Sequence, residues 1–509
     1  MKSFIRKKRI NNIDYFYEVT PYYDSKTKKT RHRSRYLGKD IDGKPKRMRQ
    51  TLPRHIYSWG EFQPLMKILD EYKIEDNLTR YLSEKEANTL ITLALNRVVR
   101  PLAMHQINSW YDGTYLLKKY GELPLSSQTL STLLDKVGNS SLDMEFFRRF
   151  TSETATSKTL VYDITSLSSY SKLNRLLEYG YNRDHLDTPQ ANLSMVVDRD
   201  NGIPVSYDLY PGSIVDVSTL KNTLKKLQSY GVKDAVMVLD RGFFSTANMG
   251  ELASSGLTYV IPAPLTLKET KQLISEVHTR IDDPNLLKMY NDNPLFVMPA
   301  TLKIGDRLVK GYSIYDPKRE QDERNLFYKQ IHDTVARLRK IRLQKWMNPK
   351  DVAQQTAGRL LPYLEWKTID SRFEVSIRRN AVSQRVNRMG KYVLLHNGDM
   401  DWSECLTTYK SKDIVEKGFD MLKNDITAAN MQKETTLRGL LFVCFLSLLL
   451  RMRLMKKMQQ SRLIENYTLE GLLLELEKTK LIDFGGGNES TTEMTRKQRE
   501  ILEKLQSCA

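Results

Sequence analysis

Through the middle of the chain the apolar positions fall in short blocks, and on either side they lengthen into helical stripes. Residues 160–164, 193–197, 204–210, 235–239 and 257–261 are brief apolar runs separated by turn-forming residues, with a helical stretch at 218–230 between the third and fourth. Strand, hairpin, strand, helix, strand, helix, strand is the pattern of an α/β unit around a mixed sheet. Periodicity alone leaves open that some of these runs are helix segments.

Before this block, residues 13–19 read as a strand rich in Tyr and Phe. A polar turn at 24–29 and a second run through Tyr36 to a stop at Gly38 complete a hairpin signal. Residues 60–150 look helical, with Ser83 and Glu86 spaced as a capping box ahead of the apolar stretch 87–99, and a shorter helix at 127–136. Such helices after a basic arm suit duplex DNA and equally suit ordinary packing. After the block, residues 263–400 interrupt it with a helical basic stretch at 318–345 and strands at 373–377 and 392–395, so this region reads as inserted. Helices resume near Ser411 and run to Met458. Gly485, Gly486 and Gly487 mark a flexible break before a last helix at 496–506.

The expected layout is a basic hairpin arm (1–58), a helical, DNA-binding region (59–150), a first core part (151–262), an insertion (263–400), a second core part (401–460) and a helical tail (461–509). A length of 509 residues fits several domains.

Charge changes the picture. The net charge is +19, and residues 1–60 hold seventeen Lys and Arg against five acids, twelve of those nineteen charges. That favours a polyanionic partner such as nucleic acid or an anionic membrane, and composition alone does not choose between them. Arg31, Arg33 and Arg35 sit two apart and share one face of a strand, either as a phosphate-contacting edge or as a solvated face. The longest apolar stretch, 439–450, is too short for a membrane span and reads as a buried helix. No membrane association is expected. No apolar segment follows the N-terminal charges, so a cytoplasmic protein is expected, nucleoid-associated where its polyanionic partner is DNA. Cys405, Cys444 and Cys508 are scattered, the histidines do not cluster, and any metal must be held by oxygen.

Two carboxylates follow apolar runs: Asp163 after Leu160-Val161-Tyr162, and Asp240 after Val236-Met237-Val238-Leu239. At neighbouring strand ends they would repel one another unless a cation intervened, and Mg²⁺ suits carboxylate ligands. Taken singly, either Asp could simply open a turn. Further on, Tyr409, Lys412, Glu416 and Lys423 fall within about 60° of one another on a single helix. On spacing alone Lys412 and Glu416 could be an ordinary surface pair.

Together, Asp163 in Tyr-Asp-Ile-Thr-Ser, Asp240 in Leu-Asp-Arg-Gly-Phe-Phe-Ser, and Tyr-x2-Lys-x3-Glu-x6-Lys at 409–423 resemble the insertion-sequence transposases of the DDE type that carry a Tyr-Arg-Glu-Lys signature, the IS4-like superfamily. The likeness spans most of the chain. Lys412 stands where that family has Arg, keeping the charge and losing the planar fork. The resemblance implies an RNase H-like core, split by an inserted strand-containing domain, with Asp163, Asp240 and Glu416 as catalytic metal ligands. In two-metal chemistry Asp163 would bridge a pair of Mg²⁺ or Mn²⁺ ions, with Asp240 and Glu416 completing one each. Tyr409, Lys412 and Lys423 would hold phosphates, and a Trp of the insertion, Trp346 or Trp366, could stack on a flipped base. The implied activity is cut-and-paste movement of a DNA element by a homodimer assembled on double-stranded DNA. A nuclease that cuts without joining, and a DNA-binding protein that has lost catalysis, remain alternatives.

Overall fold

The computed structural model describes the chain apart from residues 1, 11–12, 42, 47–51, 155–158, 169–173, 181–187, 215, 233–234, 282, 428–432 and 508–509. Cys508 therefore lies outside the described residues, and Cys405 and Cys444 are buried thiols outside any disulfide. The chain divides into two compact units, Met1–Trp59 with Lys478–Met494, and Gly60–Glu477 with Thr495–Ala509.

In the first unit the expected hairpin is the centre of a larger antiparallel sheet. Its strands β1 (Phe4–Ile10), β2 (Ile13–Asp24), β3 (Lys29–Ile41) and β4 (Lys44–Lys46) are paired in chain order. The second strand does not stop at Gly38: the register shifts at Phe16/Tyr17 and pairing continues to Lys39 opposite Tyr15. A second sheet joins β5 (His55–Ser58) to Lys480–Asp483, which pairs in turn with Glu489–Thr491. The three glycines read as a flexible break are the turn of that hairpin. Gly485, Gly486 and Gly487 have φ of 83°, 65° and 79°, a left-handed path that only glycine follows cheaply, and Phe484 N–H donates to the Asn488 carbonyl across it.

The second unit is built around the helix Glu434–Gln460, whose apolar run is buried as expected. Ser83 caps the helix Glu84–Val99 through the predicted reciprocal box with Glu86. The helix Ser127–Asn139 crosses Glu434–Gln460 closely because both carry glycine at the crossing. A Cβ on Gly439 would strike the Leu134 carbonyl, and one on Gly138 the Thr435 carbonyl. Among the described residues no helix is long and apolar enough to cross a membrane.

A nine-stranded sheet forms the other half of this unit. The strands are β6 (Thr159–Ser168), β7 (Gln190–Asp198), β8 (Ile203–Pro211), β9 (Val236–Val238), β10 (Thr258–Pro262), β11 (Leu287–Tyr290), β12 (Asn293–Ile304), β13 (Arg307–Tyr315) and, after the separate hairpin β14 (Leu364–Ile369) and β15 (Arg372–Ile377), β16 (Lys391–His396). Their order is β11-β12-β13-β16-β10-β9-β6-β7-β8. β6, β7 and β8 are antiparallel neighbours, whereas β9 runs parallel to both β6 and β10. All nine residues of β7 are buried, which is why these strands read as continuous apolar runs. The strand expected at 392–395 joins this large sheet between β13 and β10. The helices Pro317–Lys340, Pro349–Ala357 and Arg379–Val386, with the β14–β15 hairpin, gather a separate apolar cluster around Phe327, Leu338, Phe373 and Met389.

Candidate active site

Parallel pairing brings Asp163 and Asp240 side by side. Val161 on β6 pairs with Val238 on β9, and β9 then ends. Each aspartate lies two residues further along its own chain direction, so the two leave the sheet from neighbouring strands at the same level. Asp163 is not at a strand end, as its sequence context had suggested. It sits inside β6, still paired with Met195 of β7, and it is the early end of β9 that opens the sheet beside it. Asp240 caps a 3-10 turn, Arg241–Phe243, and its backbone carbonyl accepts from Phe243 N–H.

Glu416 reaches the same place from the helix Asp413–Thr427, which packs on β6 and β7. The single helix expected for Tyr409, Lys412, Glu416 and Lys423 is two helices. Trp402–Lys410 carries Tyr409, a break holds Ser411 and Lys412, and the next helix carries Glu416 and Lys423. The break has a local cause. The Ser411 hydroxyl donates to the Thr408 carbonyl at 2.6 Å, and Lys412 N–H donates to the Tyr409 carbonyl, three residues back in place of four.

At this break Lys412 turns its ammonium between the acids, 3.2 Å from Asp240 Oδ1 and 2.9 Å from Glu416 Oε1. Burial on its own would lower the Lys412 pKa. Asp163, then Asp240 and Glu416, outweigh it and raise that pKa above the ordinary lysine value. The Lys412 side chain is only 14% exposed, against 42% for Asp240 and 53% for Glu416. The acids thus open toward solvent with the ammonium behind them. Tyr409 lies beside this group. Burial raises its pKa, as does Asp240, while Lys412, Arg319 and Arg241 oppose. Lys423 is half-buried further along the Glu416 helix.

Other predicted residues lie elsewhere. Arg31, Arg33 and Arg35 are exposed on β3 opposite Tyr22, Thr20 and Glu18, with Arg31 Nε 3.3 Å from Asp24 and Arg35 Nη1 3.9 Å from Glu18. Trp366 is half-buried, packed edge-on against Phe373 at 5.5 Å, whereas Trp346 is 79% exposed. The sequence reading passed over Arg319, Arg385 and Arg388, which border a cleft beside Asp240 and Tyr409. Their distance along the chain from either motif hid them.

The donor set fits a hard divalent cation: carboxylates from three segments face one ammonium, and their charge exceeds it. The oxygens are gathered around Lys412, however, and among the described residues no three metal-binding side chains are assembled about a common point.

Compared with known proteins, residues 155–450 match the family model of the transposase DDE domain. No curated protein matches the chain. Among solved structures it is similar to the piggyBac transposase synaptic complex with hairpin DNA, at 10% identity and a TM-score of 0.39 over 82% of this chain and 79% of that one. It is also similar to the Drosophila P element transposase strand transfer complex, at 13% identity and a TM-score of 0.18 over 78% of this chain and 87% of that one. Likeness at these scores carries no argument here. The family match covers more than half of the chain and includes the positions of Asp163, Asp240 and Glu416, and the chain belongs to the transposase DDE domain family.

Proposed function

We propose that this chain is a transposase that cuts DNA at the ends of an insertion sequence and joins the freed ends to target DNA, with Asp163, Asp240 and Glu416 as its catalytic carboxylates. The observation that carries the reading is their convergence: two come from parallel neighbouring strands, and the third shares the Lys412 ammonium with Asp240. We read β6 to β10 as an RNase H-like core, a reading supported by three antiparallel strands followed by two parallel ones. Residues 263–400 are then the inserted domain, residues 1–58 a DNA-binding arm, and 59–150 a helical DNA-binding region.

In cleavage a water oxygen attacks phosphorus and the 3′ oxygen leaves. In joining that 3′ hydroxyl attacks the phosphorus of a target phosphodiester, its O–P bond forming as the target's own 3′ oxygen leaves and takes up the proton. Asp163, Asp240 and Glu416 would hold two Mg²⁺ or Mn²⁺ ions, which supply acidity to the attacking oxygen and charge neutralisation at the leaving one. Lys412, Lys423 and the Tyr409 hydroxyl bind phosphates of the strand being cut, the lysines as point charges without fixed geometry. The working assembly is a homodimer on double-stranded DNA.

The test incubates purified protein with Mg²⁺, the DNA flanking the gene and a target plasmid. Joined products support the reading, cut products alone make the chain a nuclease, and a mobility shift alone makes it a binding protein. Asp163→Asn, Asp240→Asn and Glu416→Gln should each abolish cleavage and leave binding nearly intact. Robust cleavage by any of them removes that residue from the site.

A further inference from the structure

Asp240 also opens onto a cleft of about 270 Å³ whose lining brings Arg241, Arg319, Arg385, Arg388 and Lys391 together around Tyr392. Two of these cations are already engaged. Arg319 Nε lies 2.9 Å from Glu323 with its guanidinium over the Tyr392 ring at 5.0 Å, and Lys391 is buried beside Glu320, donating to the Met389 carbonyl. Arg241, Arg385 and Arg388 are exposed, and among the described residues none of the three has a carboxylate within ion-pair distance. Three like charges lining one cleft without such a partner repel one another, and an anion would relieve that.

The shape says what kind of anion. A second cavity of about 240 Å³ shares Leu265 and Arg388 with the first and continues to Lys271 and His278. The two cavities lie side by side in a groove-like row that begins at Asp240 and passes Arg388 to Lys271, with Pro262, Ala263 and Leu265 as apolar wall. A lone small anion needs no such length, whereas a chain of regularly spaced charges with apolar sugars between them fills it. Guanidinium forks match phosphate oxygens in pairs. We propose that this groove is a phosphodiester channel seating the DNA strand next to the bond that is cut, with Arg241, Arg385 and Arg388 as its phosphate contacts. The proposal rests on the reading of the chain as a DNA-cutting enzyme and adds to it where the strand runs.

Arg385 and Arg388 can be changed without touching the carboxylate group. Anisotropy of a fluorescent duplex with a single-stranded tail, taken from the DNA flanking the gene and titrated between about 50 and 300 mM KCl, reads the number of phosphates neutralised. Arg385→Ala with Arg388→Ala should reduce the magnitude of the log–log salt slope by roughly 1.4 to 1.8, and Lys at both positions should restore it. An unchanged slope in the alanine pair, or no recovery with lysine, overturns the channel. Calorimetry with inorganic phosphate separates the polymer from a free anion: saturable phosphate binding that the alanine pair abolishes while the DNA slope stays put also overturns it. If the parent binds and cuts DNA and only the slope fails to respond, the channel alone falls. A parent that binds no DNA takes the functional reading with it.

Discussion

Lys412 places its ammonium 3.2 Å from an Asp240 oxygen, tying the break between two helices to the end of a strand far away in sequence. The same ammonium is 2.9 Å from Glu416, so one lysine occupies the charge-neutralising position among carboxylates that a divalent cation would take. Lysine and metal should therefore compete. Lys412→Ala is expected to tighten Mn²⁺ binding to the DNA-free chain by roughly tenfold, since even a fraction of a screened close ion pair is worth that much. The same variant should cleave bound DNA poorly, and Lys412→Arg should preserve or improve cleavage by restoring a fork to phosphate. Mn²⁺ affinity followed by electron paramagnetic resonance checks the first part. An unchanged affinity, with cleavage equal to the parent, would reduce Lys412 to a structural ion pair.

The helix crossing beneath the sheet gives a contrast between two glycines. Gly439→Ala puts a methyl group against the Leu134 carbonyl, and backbone cannot rotate aside as a side chain can. A loss of about 1 to 3 kcal/mol is expected from overpacking. Gly250, inside the helix Thr246–Ser254, has nothing within 4 Å of a Cβ, so Gly250→Ala should stabilise by about 0.4 to 1 kcal/mol. Urea unfolding of both variants decides it, and equal effects in the two would mean that the crossing relaxes without cost.

What the chain revealed in advance was whatever depends on near neighbours. The five core strands were legible because β6, β7 and β8 are buried along nearly their whole length, and the Ser83–Glu86 cap because both partners lie within one turn. The break at Ser411 escaped because one hydroxyl bonding to Thr408 redirects the chain without disturbing the apolar spacing on either side. Gly485 to Gly487 looked like slack because their tight turn depends on a strand that pairs with His55–Ser58 at the other end of the chain. Asp163 and Asp240 could be named from their motifs, yet their adjacency rests on the Val161–Val238 register, which no local pattern encodes. The arginines at 241, 385 and 388 come together only through the fold.

A half-buried acid predicts how stability responds to pH. Asp143 has its pKa raised, burial being the main cause, with Met144 N–H, Arg438 and Lys226 opposing it. Asp208, bonded to Lys226, is raised chiefly by burial too, and Asp143 adds to the rise. A carboxyl with a raised folded-state pKa holds more protons folded than unfolded, so unfolding free energy falls as pH rises. The fall begins at the ordinary aspartate pKa, about 3.9, and is complete above the raised value. Asp143→Asn should flatten this decline. Denaturant melts of parent and variant across that range test it, and parallel pH profiles would show that Asp143 titrates alike in both states.

The basic arm offers a test that does not involve the carboxylates. Arg31, Arg33 and Arg35 share one face of β3, but Arg31 lies beside Asp24 and Arg35 beside Glu18, so two of the three already face acids. Those pairs are weak obstacles. All the side chains involved remain partly exposed, where ion pairs contribute little, and Asp24 is independently satisfied by Lys26 N–H at 3.0 Å and the Thr27 hydroxyl at 2.8 Å. DNA phosphates can therefore replace the carboxylates as partners. Each phosphate so neutralised releases condensed counterions, with a slope near −0.9 per contact on duplex DNA. Changing all three arginines to Ala should reduce the magnitude of the salt slope by roughly 2 to 3. If the arm touches only backbone, affinity falls alike for flanking and unrelated DNA. If one arginine reads a base edge, the flanking DNA loses about 1 to 3 kcal/mol more. A slope unchanged in the triple variant would mean that these arginines stay with Asp24, Glu18 and solvent, and would move duplex binding to the helices that follow Gly60.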